Sequence, residues 1–278
     1  MGRIPFGIPR LDSIVGGGAP TGSVVLLAGE AGAGARAFLY TSCLMNALGR
    51  ADESQFDLHY GSLEGEAMVP ESIHYLSFTS SPTEMQGELR DAMDADLVDT
   101  AVDQIDFADL SGPYFQLSPV PRSWYGGDRV SINELNNTEE RRDVFEALGD
   151  YLDENASGSL VAIDALSDLT SVAGDYMDWS DIVMLVKGLQ KAARTWDGVI
   201  LLLVTKEGLT GTQLGTFVGS VDGTLVFEWE RGGNELARTM VVQEFRGVLP
   251  EIEEENIVRF ETEIHDSGMD VSDVRKIR

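Results

Sequence analysis

Lysine is the scarcest of the charged residues in this 278-residue chain: only Lys187, Lys191, Lys206 and Lys276 occur, and Lys and Arg together reach 20 against 47 Asp and Glu, for a net charge of −27. A surface so poor in cations repels duplex DNA, whose affinity rests on many Lys and Arg contacts to phosphate. Beyond Arg141 and Arg142 no basic cluster is visible, so a nucleic-acid partner is not expected. Cysteine is almost absent too. The single Cys43, inside the helical pattern RAFLYTSCLMNAL, rules out an intramolecular disulfide and a cysteine metal cluster, and reads as a buried, inert thiol. The three histidines, His59, His74 and His265, are scattered without ligand spacing, so no metal site is assigned.

Long apolar runs are lacking as well. VVLLAG and GVILLLV are strand-sized and far short of a membrane span, and the opening MGRIPFGIPRLD has no apolar segment of the signal-peptide kind. The expectation is a cytoplasmic protein without a membrane partner. The charge imbalance suits an extreme halophile: self-repulsion of the compact chain is largely screened at molar salt, where the Debye length is about 3 Å. The aspartates 91, 94, 96, 99, 103, 106 and 109 read as a solvated acidic face on successive turns of a helix, or as a docking surface for a basic partner.

What is present is a 43% apolar composition, enough for one sizeable core, and apolar runs that alternate with longer periodic segments. Strands are predicted at 23–28, 73–79, 159–163 and 199–204, and helices at 35–48, 82–97, 138–154 and 178–195. Asn137 with Glu140 three residues on forms a capping signal for the third helix. This is the βαβ pattern of a mostly parallel sheet flanked by helices. From about residue 218 the pattern turns β-rich, with two runs around RGGN and a further strand in NIVRFETEIHDSGMDV, which predicts a C-terminal antiparallel extension. One domain is expected, an α/β core over 1–217 with an extension over 218–278, and loops at 51–71 and 111–133.

The stretch VVLLAGEAGAGARAF joins a strand to a helix through a glycine-rich turn. Gly29 and Gly34 stand at the G-x-x-x-x-G spacing of a phosphate-binding loop, with Gly32 between them. Such a turn lets backbone N–H groups face phosphate oxygens at a helix N-terminus, but binding ATP with Mg²⁺ also needs a lysine and a hydroxyl. Here Ala35 takes the lysine position and Arg36 and Ala37 the hydroxyl positions. Without context, the turn is equally a plain strand-to-helix connection.

The context is GIPRLDSIVGGGAPTGSVVLLAGEAGAG. With Gly7, Leu11, Asp12, Gly16, Gly17, Gly18, Gly22 and Ser23 in register, it resembles the entry of the KaiC-type branch of the RecA superfamily. LVAID, ending in Asp164, is similar to the segment whose aspartate positions Mg²⁺ in that family; alone, Asp164 would more often be a helix cap than a metal contact. The run SVDGTLVFEWERGGNELARTMVVQEFRG resembles the family's hairpin, which ends in Lys-x-Arg-Gly and whose basic residues can reach a neighbouring subunit's nucleotide. The resemblance spans about 4 to 271 and implies a RecA-like P-loop fold.

The departures all point away from catalysis. Where the family carries paired glutamates before a proline, this chain has Thr79 and Ser80 before Pro82, and Glu244 stands at the hairpin's lysine position, leaving Arg246 and Gly247. Losing the lysine's charge-assisted contacts is expected to weaken nucleotide binding by about two orders of magnitude. Losing the water-activating glutamate costs a further factor of about 10² to 10⁴ in rate. The resemblance with these losses implies a pseudo-ATPase with no catalytic residue, partnered by itself or by an active KaiC/RecA-like paralogue, in which ATP and Mg²⁺ bind weakly or not at all. The alternative is an ATP-binding switch or slow ATPase that keeps a degenerate site of Gly29, Gly32, Gly34, Arg36 and Asp164. In it Arg36 reaches phosphate oxygens; otherwise Arg36 is solvated or ion-paired.

Overall fold

The computed structural model describes residues 2–116, 118–125, 144–172, 177–232, 235–248 and 259–273. Its centre is a sheet in the order β11-β10-β9-β8-β3-β7-β6-β4-β5. Strands β3 (Ser23–Gly29), β4 (Ile73–Ser77), β5 (Ile105–Asp109), β6 (Leu160–Asp164), β7 (Val199–Thr205) and β8 (Gly223–Gly232) run parallel. Strands β9 (Glu235–Phe245), β10 (Arg259–His265) and β11 (Gly268–Asp273) add antiparallel at one edge. A two-stranded ribbon of β1 (Arg3–Ile4) and β2 (Ala19–Pro20) stands apart from it.

The middle strands are buried on both faces, as continuous Val, Leu and Ile runs require. In β3 alternate residues feed two separate cores: Val25 and Leu27 face α2 (Ala35–Ala51), while Val24, Leu26 and Ala28 face the other helical layer. Side chains of α4 (Pro82–Ala92) and α5 (Ala95–Ala101) join the core on the α2 side. Those of α7 (Val144–Asn155), α8 (Leu166–Ser171), α9 (Trp179–Trp196) and α10 (Gly211–Val218) join the core opposite. The mixed α/β architecture, mostly parallel with an antiparallel C-terminal edge, is the expected fold class.

Details depart from the sequence reading. The helix expected at 82–97 is two helices: the first ends at Ala92, where Met93 turns to extended backbone, and Asp94 caps the next, accepting from the Asp96 and Leu97 N–H groups. The acidic series does not occupy one helix: Asp106 and Asp109 lie on β5, an edge strand whose charged, exposed positions blunt pairing with another chain. The predicted loop at 51–71 contains α3 (Glu53–His59), capped by Asp52 through the Ser54 and Gln55 N–H groups. The loop predicted at 111–133 contains α6 (Ser111–Phe115) and a 3₁₀ turn at Arg122–Trp124. The extension's first strand, β8, pairs parallel with β3, so the antiparallel part begins only at β9. The Asn137–Glu140 cap and the tip of the RGGN turn lie outside the described residues.

The entry segment is held by one carboxylate. Buried Asp12, on α1 (Pro9–Ile14), accepts from the N–H groups of Phe6 (2.8 Å), Gly7 (3.0 Å) and Ile8 (3.2 Å) and from the Tyr60 hydroxyl (3.1 Å). Desolvation pushes its pKa up to about 7 against the pull of those four donors. The Leu-Asp pair of the entry motif is thus a folding device: Leu11 fills the core and Asp12 ties the chain back on itself.

Candidate functional site

Parallel registers bring the strands' C-terminal ends to one edge, where ligands of open α/β sheets bind. Gly29 aligns with Thr205, and Ser77 with both Asp164 and Asp109. The glycine-rich turn leaves β3 at this edge and enters α2. A Cβ on Gly29 would lie 2.6 Å from that of Ala35, so glycine is required for strand and helix to approach this closely. Gly34, the N-cap of α2, has φ +111°, and a Cβ there would come within 2.8 Å of Met269 Cε. No side chain caps the helix, whose first N–H groups lack an intrahelical acceptor, and a cleft of about 410 Å³ beside it is lined by the turn, by Arg36, by Leu203–Thr205 and by Ile264.

Arg36 and Asp164, 128 residues apart, meet at this edge. The guanidinium Nη2 donates to Asp164 Oδ1 at 2.8 Å, with Arg36 about half exposed and Asp164 buried. The second carboxylate oxygen, Oδ2, accepts from the Tyr75 hydroxyl of β4. Burial raises the Tyr75 pKa well above its ordinary value, and the charge of Asp164 adds to the rise, so this hydroxyl stays protonated as a donor. Burial works against the Arg36 charge, but Asp164 outweighs it and holds the guanidinium firmly protonated. Tyr75 packs against Tyr40 of α2, whose hydroxyl donates to Glu88 at 2.7 Å.

The turn is also clamped from outside. Trp229 on β8 donates from its indole to the Ala31 carbonyl (3.0 Å) and from its backbone to Glu30 Oε2 (3.1 Å). Arg238 on β9 donates to the Gly32 carbonyl (3.0 Å) while lying 4.6 Å over the Trp229 ring. Glu207 accepts from the Ala31 N–H at 2.8 Å. Lys206 Nζ sits 2.6 Å from Glu228 and 3.8 Å from Glu30.

No protein-family model matches the chain, and no curated protein does. Solved structures do match. A KaiC-like protein of the hyperthermophilic archaeon Pyrococcus horikoshii superposes with a TM-score of 0.61 over 97% of this chain and 98% of its own, at 16% identity. The flagellar accessory protein FlaH of Methanocaldococcus jannaschii does so with a TM-score of 0.56 over 95% and 96%, at 12% identity. The fold is RecA-like, of the KaiC-like kind. At these identities the likeness is one of fold, and function rests on the residues of the site.

Within this KaiC-like fold the five candidate residues Gly29, Gly32, Gly34, Arg36 and Asp164 gather at one edge. The residues present do not fit a Mg²⁺ site: both Asp164 oxygens have partners, one of them a cation, and no hydroxyl stands at position 36 or 37. Phosphate is better matched, since the uncapped start of α2 offers N–H groups. After β4, the Thr79 and Ser80 N–H groups both turn onto the Ser77 hydroxyl, and no carboxylate occupies that position. Arg246 lies at the opposite end of the sheet, where β8 begins and β9 finishes. There Asp222 Oδ1 faces Arg246 and Arg194, each at 3.4 Å, and accepts from Gln190 at 3.0 Å.

Sequence reasoning found the turn, Arg36 and Asp164 but not their pairing, and it missed Tyr75, Trp229 and Arg238. Tyr75 carried a signal, since a polar-tipped aromatic in the middle of a buried strand needs a partner.

Proposed function

We propose that this protein is a catalytically degenerate KaiC/RecA-like pseudo-ATPase that serves as a regulatory or assembly subunit. The observation that carries the reading is the Arg36–Asp164 pair, completed by the Tyr75 hydroxyl. A fixed internal cation stands against the carboxylate that, in the family this fold resembles, positions Mg²⁺. With Ala35 for lysine and Thr79 and Ser80 for glutamate, neither the metal, the phosphate-bound cation nor the water base has a residue to serve it. The partner in this reading is a second copy or an active paralogue, and the location is the cytoplasm of a halophile; the acidic surface disfavours nucleic acid. Hydrolysis assays in molar KCl test the reading. ATP turnover should not exceed the protein-free rate, and turnover abolished by Asp164→Ala would overturn it.

A second reading, an ATP-binding switch or slow ATPase, is favoured by the uncapped start of α2 beside a half-exposed Arg36. Calorimetric titration with ATP separates the two, since the switch requires micromolar binding that Arg36→Ala removes.

A further inference from the structure

The carboxylate that positions Mg²⁺ in the family this fold resembles is already occupied here, and its occupant is a cation of the chain itself. Asp164 Oδ1 accepts from Arg36 Nη2 at 2.8 Å, and Oδ2 accepts from the buried Tyr75 hydroxyl. A divalent ion would have to displace a guanidinium whose charge already neutralises the carboxylate. Glu30, the carboxylate that lines the neighbouring cleft, is engaged by the Trp229 N–H at 3.1 Å and by Lys206 at 3.8 Å. Among the described residues no three His, Cys, Asp or Glu side chains gather as metal ligands. Donors, in contrast, are plentiful. The backbone N–H groups of Gly32, Gly34, Ala35, Arg36 and Ala37 have no acceptor among the described residues, and all five residues line the cleft. The half-exposed Arg36 side chain donates only to Asp164 among those residues, which leaves Nε and Nη1 for an anion. One more N–H of the turn, that of Ala31, already holds a carboxylate oxygen, Glu207 Oε1.

We infer that this cleft takes a di- or triphosphate without a divalent cation, with the Arg36 guanidinium standing in for the metal. The inference rests on the ATP-binding reading and gives it a ligand class, the metal-free polyphosphate anion. A guanidinium presents a planar fork of N–H donors to phosphate oxygens and needs no coordination shell. Mg²⁺ chelated by the ligand would take the same oxygens. It would also set a second cation against Arg36, with neither a free Asp164 oxygen nor a hydroxyl at position 36 or 37 to complete its octahedron. The metal therefore weakens binding here, where in a magnesium site it strengthens it. Asp164 has the reverse of a metal ligand's effect as well. It offsets the guanidinium's charge and engages one of its donors, so neutralising Asp164 releases the cation to the ligand.

The test is calorimetric titration of the purified full chain with ATP and with inorganic pyrophosphate in molar KCl, once in EDTA and once in excess MgCl₂. Wild type should bind both probes in EDTA, and excess Mg²⁺ should weaken each by about tenfold, the worth of one charge-assisted contact. Asp164→Asn, which keeps an acceptor for Tyr75, should tighten metal-free binding by about tenfold. Arg36→Ala should abolish that binding and Arg36→Lys retain part of it, with thermal midpoints showing that each variant is folded. Ala35→Lys with Arg36→Thr should reverse the order, so that Mg²⁺ strengthens binding. Three results would overturn the inference and leave the ATP-binding reading standing: ATP bound only with Mg²⁺, ATP bound while pyrophosphate is ignored, or metal-free binding lost in folded Asp164→Asn. A folded wild type that binds neither probe in either buffer would overturn both and leave the pseudo-ATPase reading untouched.

Discussion

Arg36 Nη2 lies 2.8 Å from Asp164 Oδ1, so the side chain that follows the missing lysine neutralises the carboxylate at the end of β6. The pair belongs to the fold as much as to the site. Asp164 is buried, and stripping a buried charge of its partner is costly, although Arg36 is about half in solvent and its contribution is correspondingly screened. Arg36→Ala should therefore destabilise the protein by about 1–2 kcal/mol. Arg36→Lys should recover part of that loss, without the guanidinium's geometry. Urea midpoints at fixed KCl check both.

Rebuilding the loop should separate binding from catalysis. Ala35→Lys with Arg36→Thr restores the ammonium and the hydroxyl and removes the cation from Asp164. Binding of Mg²⁺–ATP should then tighten by about ten- to a hundredfold relative to wild type, the worth of one or two charge-assisted contacts. Hydrolysis should remain absent, because Thr79 and Ser80 supply no base. Calorimetry gives the first quantity and phosphate release the second.

The fold was legible wherever burial is symmetrical. Runs such as VVLLAG and VILLLV, buried on both faces, announce central parallel strands, and the observed boundaries of β3 and β7 extend the predicted ones by one residue at the C-terminal end. Strand β5 was illegible because its exposed aspartates give an edge strand the look of a solvated helix, and parallel pairing with β4 decides the matter only in three dimensions. Helices α3 and α10 were missed despite caps in the sequence: Asp52 ahead of α3, and Thr210 ahead of α10 with Gln213 in its first turn. The site was half legible. Glycine spacing located the turn, but no local pattern could pair Arg36 with a carboxylate 128 residues away or bring Trp229 and Arg238 onto the loop's carbonyls.

Asp12 should behave as a keystone of the N-terminal segment. Asp12→Ala leaves the buried Phe6 and Ile8 N–H groups and the Tyr60 hydroxyl without their acceptor. Each orphaned donor costs about 1–3 kcal/mol and the effects are not additive, so a loss of about 3 kcal/mol or more is expected, with Asp12→Asn milder because one acceptor oxygen survives. Thermal midpoints compare the two variants with wild type, and limited proteolysis near the N-terminus should report the freed segment.

His74 should make stability fall on mild acidification. Its ring is buried on β4, with Nδ1 2.9 Å from the Tyr151 hydroxyl and Nε2 2.8 Å from Ser72 Oγ, and burial pushes its pKa below the ordinary 6.5 despite Asp106 nearby. The folded state therefore holds the imidazole neutral while the unfolded chain takes up a proton below pH 6.5. This stabilisation is present above that pH and is lost as pH falls towards the folded value, at no more than about 1.4 kcal/mol per pH unit. Asp12 acts in the opposite sense: its raised pKa favours the folded state at low pH, and that contribution is lost as pH rises towards 7. The absolute slope thus mixes the two groups, and the informative quantity is a difference. Urea midpoints of His74→Gln and wild type between pH 5 and 7.5, at fixed KCl, should converge as pH falls and diverge as it rises; parallel curves would show that His74 does not titrate differently in the two states.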